Sequence, residues 1–310
     1  MAKRPFGGTR VVCAGNLVHD EVFHVDAIPS SGIKTGVLDY YERYGGPAAT
    51  AAVAICRLGG RASYWGRVGA DPAGKKAMRL LRGYGVDCEG VTVFPEARTL
   101  RSIVLVDSRG ERSIVSDRRS LPRDASMLTG RPLDDAGVLL ADTRWPEGAA
   151  LALERARAEG IVTVLDADGG SPSDNAALIA MADHVVFSSE GLRDYAGEGD
   201  PAELLRRCVA RPGQVLAVTR GPAGSLWLLD GELVAVPAFE VRVVDTTGCG
   251  DVFHGAYALG LCEGMEPLEA ARFAAAVAAL KAVRGQGWDG MADRAAVEAL
   301  MRGEPEPVEA

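Results

Sequence analysis

A chain of 310 residues, 47% of them hydrophobic, can bury one large α/β core or two smaller ones, and it has no apolar run of the roughly 18 residues that a membrane span needs. The formal net charge of −8 argues against a nucleic-acid partner, because neutralising phosphates requires a basic face. Six cysteines without a C-x-x-C pair favour reduced thiols over a disulfide framework or a zinc site. The first ten residues also lack the apolar core of a secretory signal, so we expect a cytoplasmic protein with no membrane partner.

Three local patterns open the chain. The apolar run RVVCAG predicts a buried strand that ends at Gly15. AATAAVAICRLGG predicts a helix that Gly59 closes, and DPAGKKAMRLLRGYG opens on Asp-Pro and closes on glycines, as helix boundaries do. A strand followed by helices is the start of an α/β arrangement.

Two later segments are strand-like but polar. KTGVLDYYERYGG, residues 34–46, is rich in polar and aromatic side chains. TLRSIVLVDSRGERSIVSD, residues 99–117, contains two strand-like runs joined by the turn residues 108–110. Because neither suits the buried strands of a parallel sheet, we expect a small antiparallel accessory sheet, a lid, at about residues 30–45 and 96–118.

Strand and helix patterns alternate from residue 136 onward. The strand patterns are AGVLLAD, IVTVLDAD, DHVVFSS and QVLAVTRG, with helix patterns between them. This order predicts an α/β fold with a parallel sheet covered by helices on both faces. SLWLLDGELVAVPAF predicts a hairpin at the edge of that sheet. We expect residues 1–310 to form one domain, with a disordered tail at 302–310.

The stretch VVDTTGCGDVFHGAYA concentrates glycines and a carboxylate at a predicted strand-to-helix turn. A strand over Val241–Val244 and a helix beginning near Asp251 would leave backbone N–H groups pointing outward at the helix N-terminus, where an anion binds. Asp251 then has two interpretations. It either caps the helix, or it faces a cleft and accepts a proton from a hydroxyl group.

The same stretch closely resembles the C-terminal signature of the ribokinase-like (PfkB) sugar kinase family, with Cys249 where alanine is usual. GGPAATAAVAICRLGG, WGRVGADPAGK and AVTRGPAGS resemble the other motifs of that family, and the resemblance extends from Arg10 to about Ala292. It implies a ribokinase-like fold, with a mostly parallel central sheet flanked by helices and a small antiparallel β lid. The implied activity is ATP-dependent transfer of phosphate to a sugar hydroxyl.

By this resemblance, Asp251 takes the proton from the attacking hydroxyl. The N–H groups of Gly248, Cys249 and Gly250 then hold the charge of the transferring phosphoryl group. The resemblance also implies that the ATP site includes Thr219, Gly221, Gly224, Ala276, Ala279 and Gly285.

Magnesium is the implied phosphate-bridging metal. The family's N-x-x-E element, which helps to organise Mg²⁺, falls at FSSE, so Phe187 replaces the asparagine and Glu190 remains. Many relatives hold a monovalent cation such as K⁺ near Asp245 and Gly285, and the sequence leaves that cation open.

On the sugar side, Asp20 matches the aspartate that binds sugar hydroxyls in the family. Thr50 replaces the usual asparagine of the N-terminal signature. The other matching sugar contacts are Asn16, Gly45 and Gly46.

Several stretches are similar to one subgroup, the 6-deoxy-6-sulfofructose kinases, whose sulfonate is held by a lysine, an asparagine and an arginine. Lys34 and Arg144 match the first and third, and Ser116 stands where the asparagine would be. Cationic donors suit a sulfonate or a phosphate. Arg98 and Arg101 on the lid could instead serve a sugar 6-phosphate.

The substrate alternatives are fructose 6-phosphate, fructose, 2-keto-3-deoxygluconate and ribose. A nucleoside kinase and a catalytically silent sugar- or nucleotide-binding regulator also stay open. The lid often forms the dimer interface in this family, and the apolar faces of VLDYY and SIVLV suit a homodimer through the lid.

Overall fold

The computed structural model describes residues 8–117 and 119–304. The strands are β1 (Arg10–Ala14), β2 (Val18–Val25), β3 (Val37–Gly45), β4 (Arg61–Trp65), β5 (Arg67–Gly69), β6 (Thr92–Phe94), β7 (Arg101–Val106), β8 (Arg112–Asp117), β9 (Ala136–Asp142), β10 (Val162–Ala167), β11 (His184–Ser188), β12 (Val215–Thr219), β13 (Ser225–Leu229) and β14 (Glu232–Val236). The α-helices are α1 (Pro47–Arg57), α2 (Pro72–Gly83), α3 (Pro146–Ala158), α4 (Pro172–Met181), α5 (Ser189–Ala196), α6 (Pro201–Cys208), α7 (Cys249–Cys262), α8 (Pro267–Arg284) and α9 (Arg294–Met301).

Eight strands form the central sheet, in the order β14-β13-β12-β11-β10-β9-β1-β4. The pairings from β4 to β12 are parallel, and β13 and β14 add an antiparallel hairpin at one edge, as predicted. All residues of β1 and β9 are buried, as expected for strands covered on both faces. Apolar residues of α1, α7 and α8 form the core on one face, and those of α3, α4 and α6 form it on the other. The predicted α/β fold is confirmed.

Four strands form the lid, in the order β3-β2-β7-β8. The β2–β3 and β7–β8 pairings are antiparallel, and a parallel β2–β7 pairing joins these two pairs into one sheet. Strand β2 was not predicted, because VHDEVFHV mixes polar and apolar residues. The strand expected from about residue 30 begins only at Val37, since Pro29 and Gly32 place the preceding residues in an exposed turn.

The strand predicted over Val241–Val244 does not form. Val243 and Val244 are 57% and 69% exposed, and the N–H groups of Val244 and Asp245 donate to the carbonyl of Ala282 in α8 rather than to a strand. The end of this segment is bonded to α8 instead of to a strand. Helix α7 therefore begins at Cys249, slightly earlier than expected.

Two of the predictions concern the ends of the chain. Residues 1–7, which carry the N-terminal part of the signal-peptide argument, lie outside the described residues, as do residues 305–310 of the expected tail. The side chain of Arg302 pairs with Glu304 at 2.7 Å in the described part of that tail. Across residues 8–117 and 119–304, no helix combines the length and apolarity needed to cross a membrane.

Candidate active site

Residues 245–250, called here the glycine turn, connect the exposed segment to helix α7. Gly248 is the N-cap residue, with φ 78° and ψ 3°, a left-handed conformation that favours glycine. The N–H of Cys249 donates to the carbonyl of Thr246 at 3.1 Å and so closes the turn. Of the three N–H groups expected to hold a phosphoryl group, that of Cys249 is thus already engaged. The helix dipole and the other N–H groups of the first turn still favour an anion there.

Asp251 lies within the first turn of α7 and does not cap it, because Gly248 occupies the cap and no side chain caps this helix. Its carboxylate Oδ2 lies 3.9 Å from the position that a Cβ on Gly248 would occupy, so it faces the glycine turn. Burial raises the pKa of Asp251 to about 7, and the nearby Asp166 carboxyl adds to that rise. A carboxyl group with this pKa can accept a proton near neutral pH.

Two further buried aspartates lie at the carboxyl ends of neighbouring strands. Asp142 accepts hydrogen bonds from the backbone N–H groups of Asn16 (2.8 Å), Ala48 (3.1 Å) and Arg144 (2.9 Å). It therefore ties the end of β1, the start of α1 and the loop after β9 together. Asp166 Oδ2 lies 3.2 Å from Nδ1 of His254, which is buried one turn beyond Asp251.

One face of the lid carries a row of four polar side chains, called here the polar row. The register pairs Arg43 with Asp20, Asp20 with Ser102 and Ser102 with Ser116. Arg43 Nε lies 3.7 Å from Asp20 Oδ2, and the two serine Oγ atoms are 3.0 Å apart.

This face is turned toward the glycine turn. Arg112 lies on the same face of the lid and donates to Asp245 Oδ1 at 2.9 Å. Asp20 Oδ2 also lies 3.3 Å from the position of a Cβ on Gly45. Arg43 and Ser102 were not singled out from the sequence. Period-two alternation places each on one strand face, but only the strand register brings them beside Asp20.

The remaining residues expected on the sugar side are Gly46, Asn16 and Thr50. Gly46, with φ 95°, starts α1 so close to Asn16 that a Cβ would lie 2.5 Å from its carbonyl oxygen. The Asn16 side chain bonds to the carbonyl of Arg144 and to the guanidinium of Arg67. Thr50 accepts from the indole of Trp288 at 3.0 Å, and its methyl group lies next to Gly248.

The three cationic residues expected to bind an anionic sugar, Arg144, Lys34 and Arg98, lie in three different places. Arg144 follows β9 of the central sheet, as expected, and its Nη2 lies 3.6 Å from Asp168 Oδ2. Lys34 is exposed in the segment between the turn at residues 31–32 and β3. Arg98 lines a separate pocket with His19 and Arg101, on the lid face opposite Asp20, so the structure does not bring Arg98 to the polar row.

A largely apolar cleft of about 460 Å³ lies on the other side of the glycine turn. Six residues expected from the sequence line it: Thr219, Gly221, Gly224, Cys249, Gly250 and Ala279. Phe253 and Ala278 line it as well, which suits an adenine ring. Ala276 is fully buried within the core, and Gly285 caps α8 beside Asp245, so neither of them lines the cleft.

The expected metal-binding element lies at the start of α5. Phe187 is buried in β11, and Glu190 is exposed in the first turn of the helix. Ser188 Oγ donates to Asp168 Oδ1 at 2.6 Å, which places a second carboxylate at this end of the sheet. Within the described ranges, no three histidine, cysteine or acidic residues cluster closely enough to hold a metal. Hard oxygen donors from one or two carboxylates still fit Mg²⁺, which takes its other ligands from phosphates and water.

Comparisons with known proteins agree with this geometry. The sequence profile described as "pfkB family carbohydrate kinase" matches residues 9–289. The chain is 26% identical to a Lactococcus lactis ribokinase over 95% of this chain and 97% of that protein. It is 31% identical to a Vibrio alginolyticus fructokinase over 74% of this chain and 79% of that protein.

Among solved structures, a protein from Agrobacterium tumefaciens is 35% identical, with a TM-score of 0.85 over 96% of this chain and 98% of that chain. Arabidopsis thaliana ribokinase in complex with ribose and ATP has a TM-score of 0.83 over 95% of this chain and 99% of that chain. Its sequence identity is 24%, so that likeness concerns the fold.

Proposed function

The chain belongs to the PfkB family of carbohydrate kinases, and from that premise we propose that it transfers the γ-phosphate of ATP to the C1 hydroxyl of 6-deoxy-6-sulfofructose. The observation that carries the kinase chemistry is the position of Asp251. Its carboxyl group has no capping role and faces the glycine turn. Cys249 and Gly250 of that turn line the apolar cleft, and its Asp245 accepts a hydrogen bond from Arg112 of the lid.

In the proposed reaction, ATP lies in the apolar cleft and the sugar lies beneath the lid. Asp251 accepts the proton of the attacking hydroxyl, the hydroxyl oxygen forms a bond to the γ-phosphorus, and the bond from that phosphorus to the β-phosphate oxygen breaks to release ADP. The dipole and free N–H groups at the start of α7 stabilise the charge on the transferring group.

Magnesium, when bound with ATP, would neutralise charge on the β- and γ-phosphates. Asp168 and Glu190 are the residues of this chain that would hold it, through carboxylate oxygens and water. Ser188 orients Asp168, and Arg144 balances its charge, so the carboxylate stays in place at the end of β10.

The choice of an anionic sugar rests on three cationic groups. Arg43 lies within the polar row, and Arg144 follows β9 of the central sheet. Lys34 is exposed in the segment that leads into β3, and we propose that its long side chain bonds the anion beneath the lid. Ser116 supplies a hydroxyl where the subgroup has an amide.

A neutral ketose is the second candidate. The 31% identity to a fructokinase favours it, and so does the polar row, because Asp20, Ser102 and Ser116 can all bond sugar hydroxyls. Fructose 6-phosphate, 2-keto-3-deoxygluconate and ribose are further substrates to compare.

The test is ADP release from Mg-ATP with 6-deoxy-6-sulfofructose, fructose 6-phosphate, fructose, ribose, 2-keto-3-deoxygluconate and adenosine. We expect sulfofructose to have the highest kcat/KM. Lys34→Ala should lower that value about 10- to 100-fold, the worth of a hydrogen bond to a charged group, while changing the value for fructose little. Arg144→Ala should lower the values for both sugars, because Arg144 also pairs with Asp168. Lys75→Ala, an exposed lysine on α2, is the matched control. A higher kcat/KM for a neutral sugar, or turnover of none of the six, would exclude sulfofructose as the substrate and leave the kinase chemistry to be tested on other sugars.

We also propose that two copies associate through their lids. Leu38, Ile114 and Val115 are 69%, 59% and 68% exposed on the lid, and β3 and β8 are edge strands of its sheet. Unpaired edges and exposed apolar residues favour association with a second sheet. Sedimentation velocity at micromolar concentration should show a dimer, and Val115→Lys should shift it toward monomer. A monomer in the unchanged chain would exclude this interface.

The proposed location is the cytoplasm. All six cysteines are unpaired, and four of them are buried, which suits a reducing compartment. The proposal that residues 1–310 form one domain is supported by the central sheet, in which β1 and β4 from the first part of the chain pair with β9 to β14 from the rest.

A further inference from the structure

A lysine is fully buried behind the glycine turn. Lys281, in the last turn of α8, is only 1% exposed, although lysine is almost never fully buried unless it is paired. Its ammonium donates to the carbonyl of Gly285 at 2.9 Å. Because burying a charge is costly unless it is paired and hydrogen-bonded, a charged ammonium at this position requires acceptors or negative groups nearby.

The last turn of α8 and the glycine turn are packed together. The carbonyl of Ala282 accepts from the N–H groups of Val244 (2.8 Å) and Asp245 (3.1 Å). A Cβ on Gly285 would lie 3.3 Å from Cβ of Asp245. Lys281 therefore bonds the carbonyl of a residue, Gly285, that lies against the glycine turn.

Two aspartates and one arginine act on Lys281. Burial lowers the pKa of Lys281 and Arg43 from the lid adds to that, whereas Asp245 and Asp251 favour its charged form. The Cys249 thiol, whose pKa burial raises to about 11, stays neutral. The C-terminal carbonyls of α8 add the negative end of the helix dipole. The carboxylate of Asp245 accepts from the N–H (2.9 Å) and the hydroxyl (2.7 Å) of Thr247 and from Arg112 of the lid (2.9 Å), so Asp245 organises the turn. A positive charge at Lys281 attracts this carboxylate through space.

We propose that the Lys281 ammonium is a built-in monovalent cation that positions the glycine turn, so that this kinase needs no dissolved K⁺ or similar ion. An ammonium group and an alkali cation carry the same charge and are both held by carbonyl and carboxylate oxygens. Lys281 therefore supplies the charge that the sequence had left open to a bound cation. The inference rests on the proposed kinase function, and Lys281 acts in it as a positioning residue.

The experiment compares KCl with an equal concentration of tetramethylammonium chloride, an ion too large for the site. It measures two quantities on the full chain: Kd for ADP by calorimetry, and ADP release with the best sugar. We expect both to be the same in the two salts for the unchanged chain. Lys281→Met should weaken ADP binding and turnover about tenfold in tetramethylammonium, and KCl or NH₄Cl should restore much of both. Lys75→Met is the control and should respond to neither salt.

Two results would overturn the proposal. One is a strong K⁺ requirement of the unchanged chain, which needs no variant and so stands even if Lys281→Met fails to fold. The other concerns a Lys281→Met protein that its melting temperature shows to be folded. The proposal is overturned if its ADP binding and turnover are reduced equally in both salts, or if neither is reduced. Because ADP binding requires no sugar, a failure here is distinguishable from a wrong assignment of the kinase substrate.

Discussion

Replacing Asp251 by asparagine should lower kcat at least about 100-fold, the usual contribution of a general base, while ATP and sugar still bind. Asparagine has nearly the same shape but cannot accept the proton of the attacking hydroxyl. The fold should tolerate the change, because this carboxyl group caps no helix and its desolvation opposes its charge. Steady-state kinetics and calorimetry of ATP binding measure the two effects separately.

The pH profile is the second readout of the same change. Burial raises the pKa of Asp251 to about 7, so the carboxyl group is protonated and inactive as a base at lower pH. In the unchanged chain kcat/KM should therefore rise about tenfold per pH unit up to about pH 7 and level above it. This acidic limb should disappear in Asp251→Asn and persist in Asp194→Asn, an exposed aspartate on α5. Near-normal turnover of Asp251→Asn would remove the residue from its assigned role.

Asp20→Asn should lower kcat/KM for the sugar about 10- to 100-fold, mainly through KM. Hydrogen bonds to a charged group are worth about 1.5–3 kcal/mol, and each 1.4 kcal/mol is a factor of ten. Burial raises the pKa of Asp20, while Arg43 and Ser102 oppose that rise, so the row holds an acceptor whose strength depends on its neighbours. The loss should be confined to the sugar, because the nucleotide cleft lies on the other side of the glycine turn.

The matched control is Asp26→Asn, an exposed aspartate just beyond the end of the same strand. It should change neither KM for the sugar nor Kd for ATP. If Asp20→Asn weakened ATP binding and left KM for the sugar unchanged, the sugar would not lie under the polar row. If both variants acted alike, the effect would belong to the lid as a whole.

Local sequence determined much of the central architecture. AGVLLAD is buried along its whole length as β9, and Asp71 caps α2 by accepting from the N–H of Gly74 at 2.9 Å. The cap is a contact between residues three positions apart, and the uninterrupted apolar run of β9 is typical of a strand covered on both faces, so composition and spacing indicate both features. The motif around Asp251 likewise predicted a helix with outward-facing N–H groups, and that helix begins within two residues of the expected position.

The tertiary structure alone decided how distant segments meet. Strand β2 has no strong pattern of its own, and it becomes a strand because β3 and β7 supply its hydrogen-bond partners. The same register places Asp20 toward the glycine turn and leaves Arg98 beside the opposite lid face. Lys281 looked like one residue of an alanine-rich helix, and only the packing of α8 against the glycine turn makes it a buried charge. Sequence spacing reports which residues share one element, whereas strand register and helix packing depend on contacts between elements that are far apart in the chain.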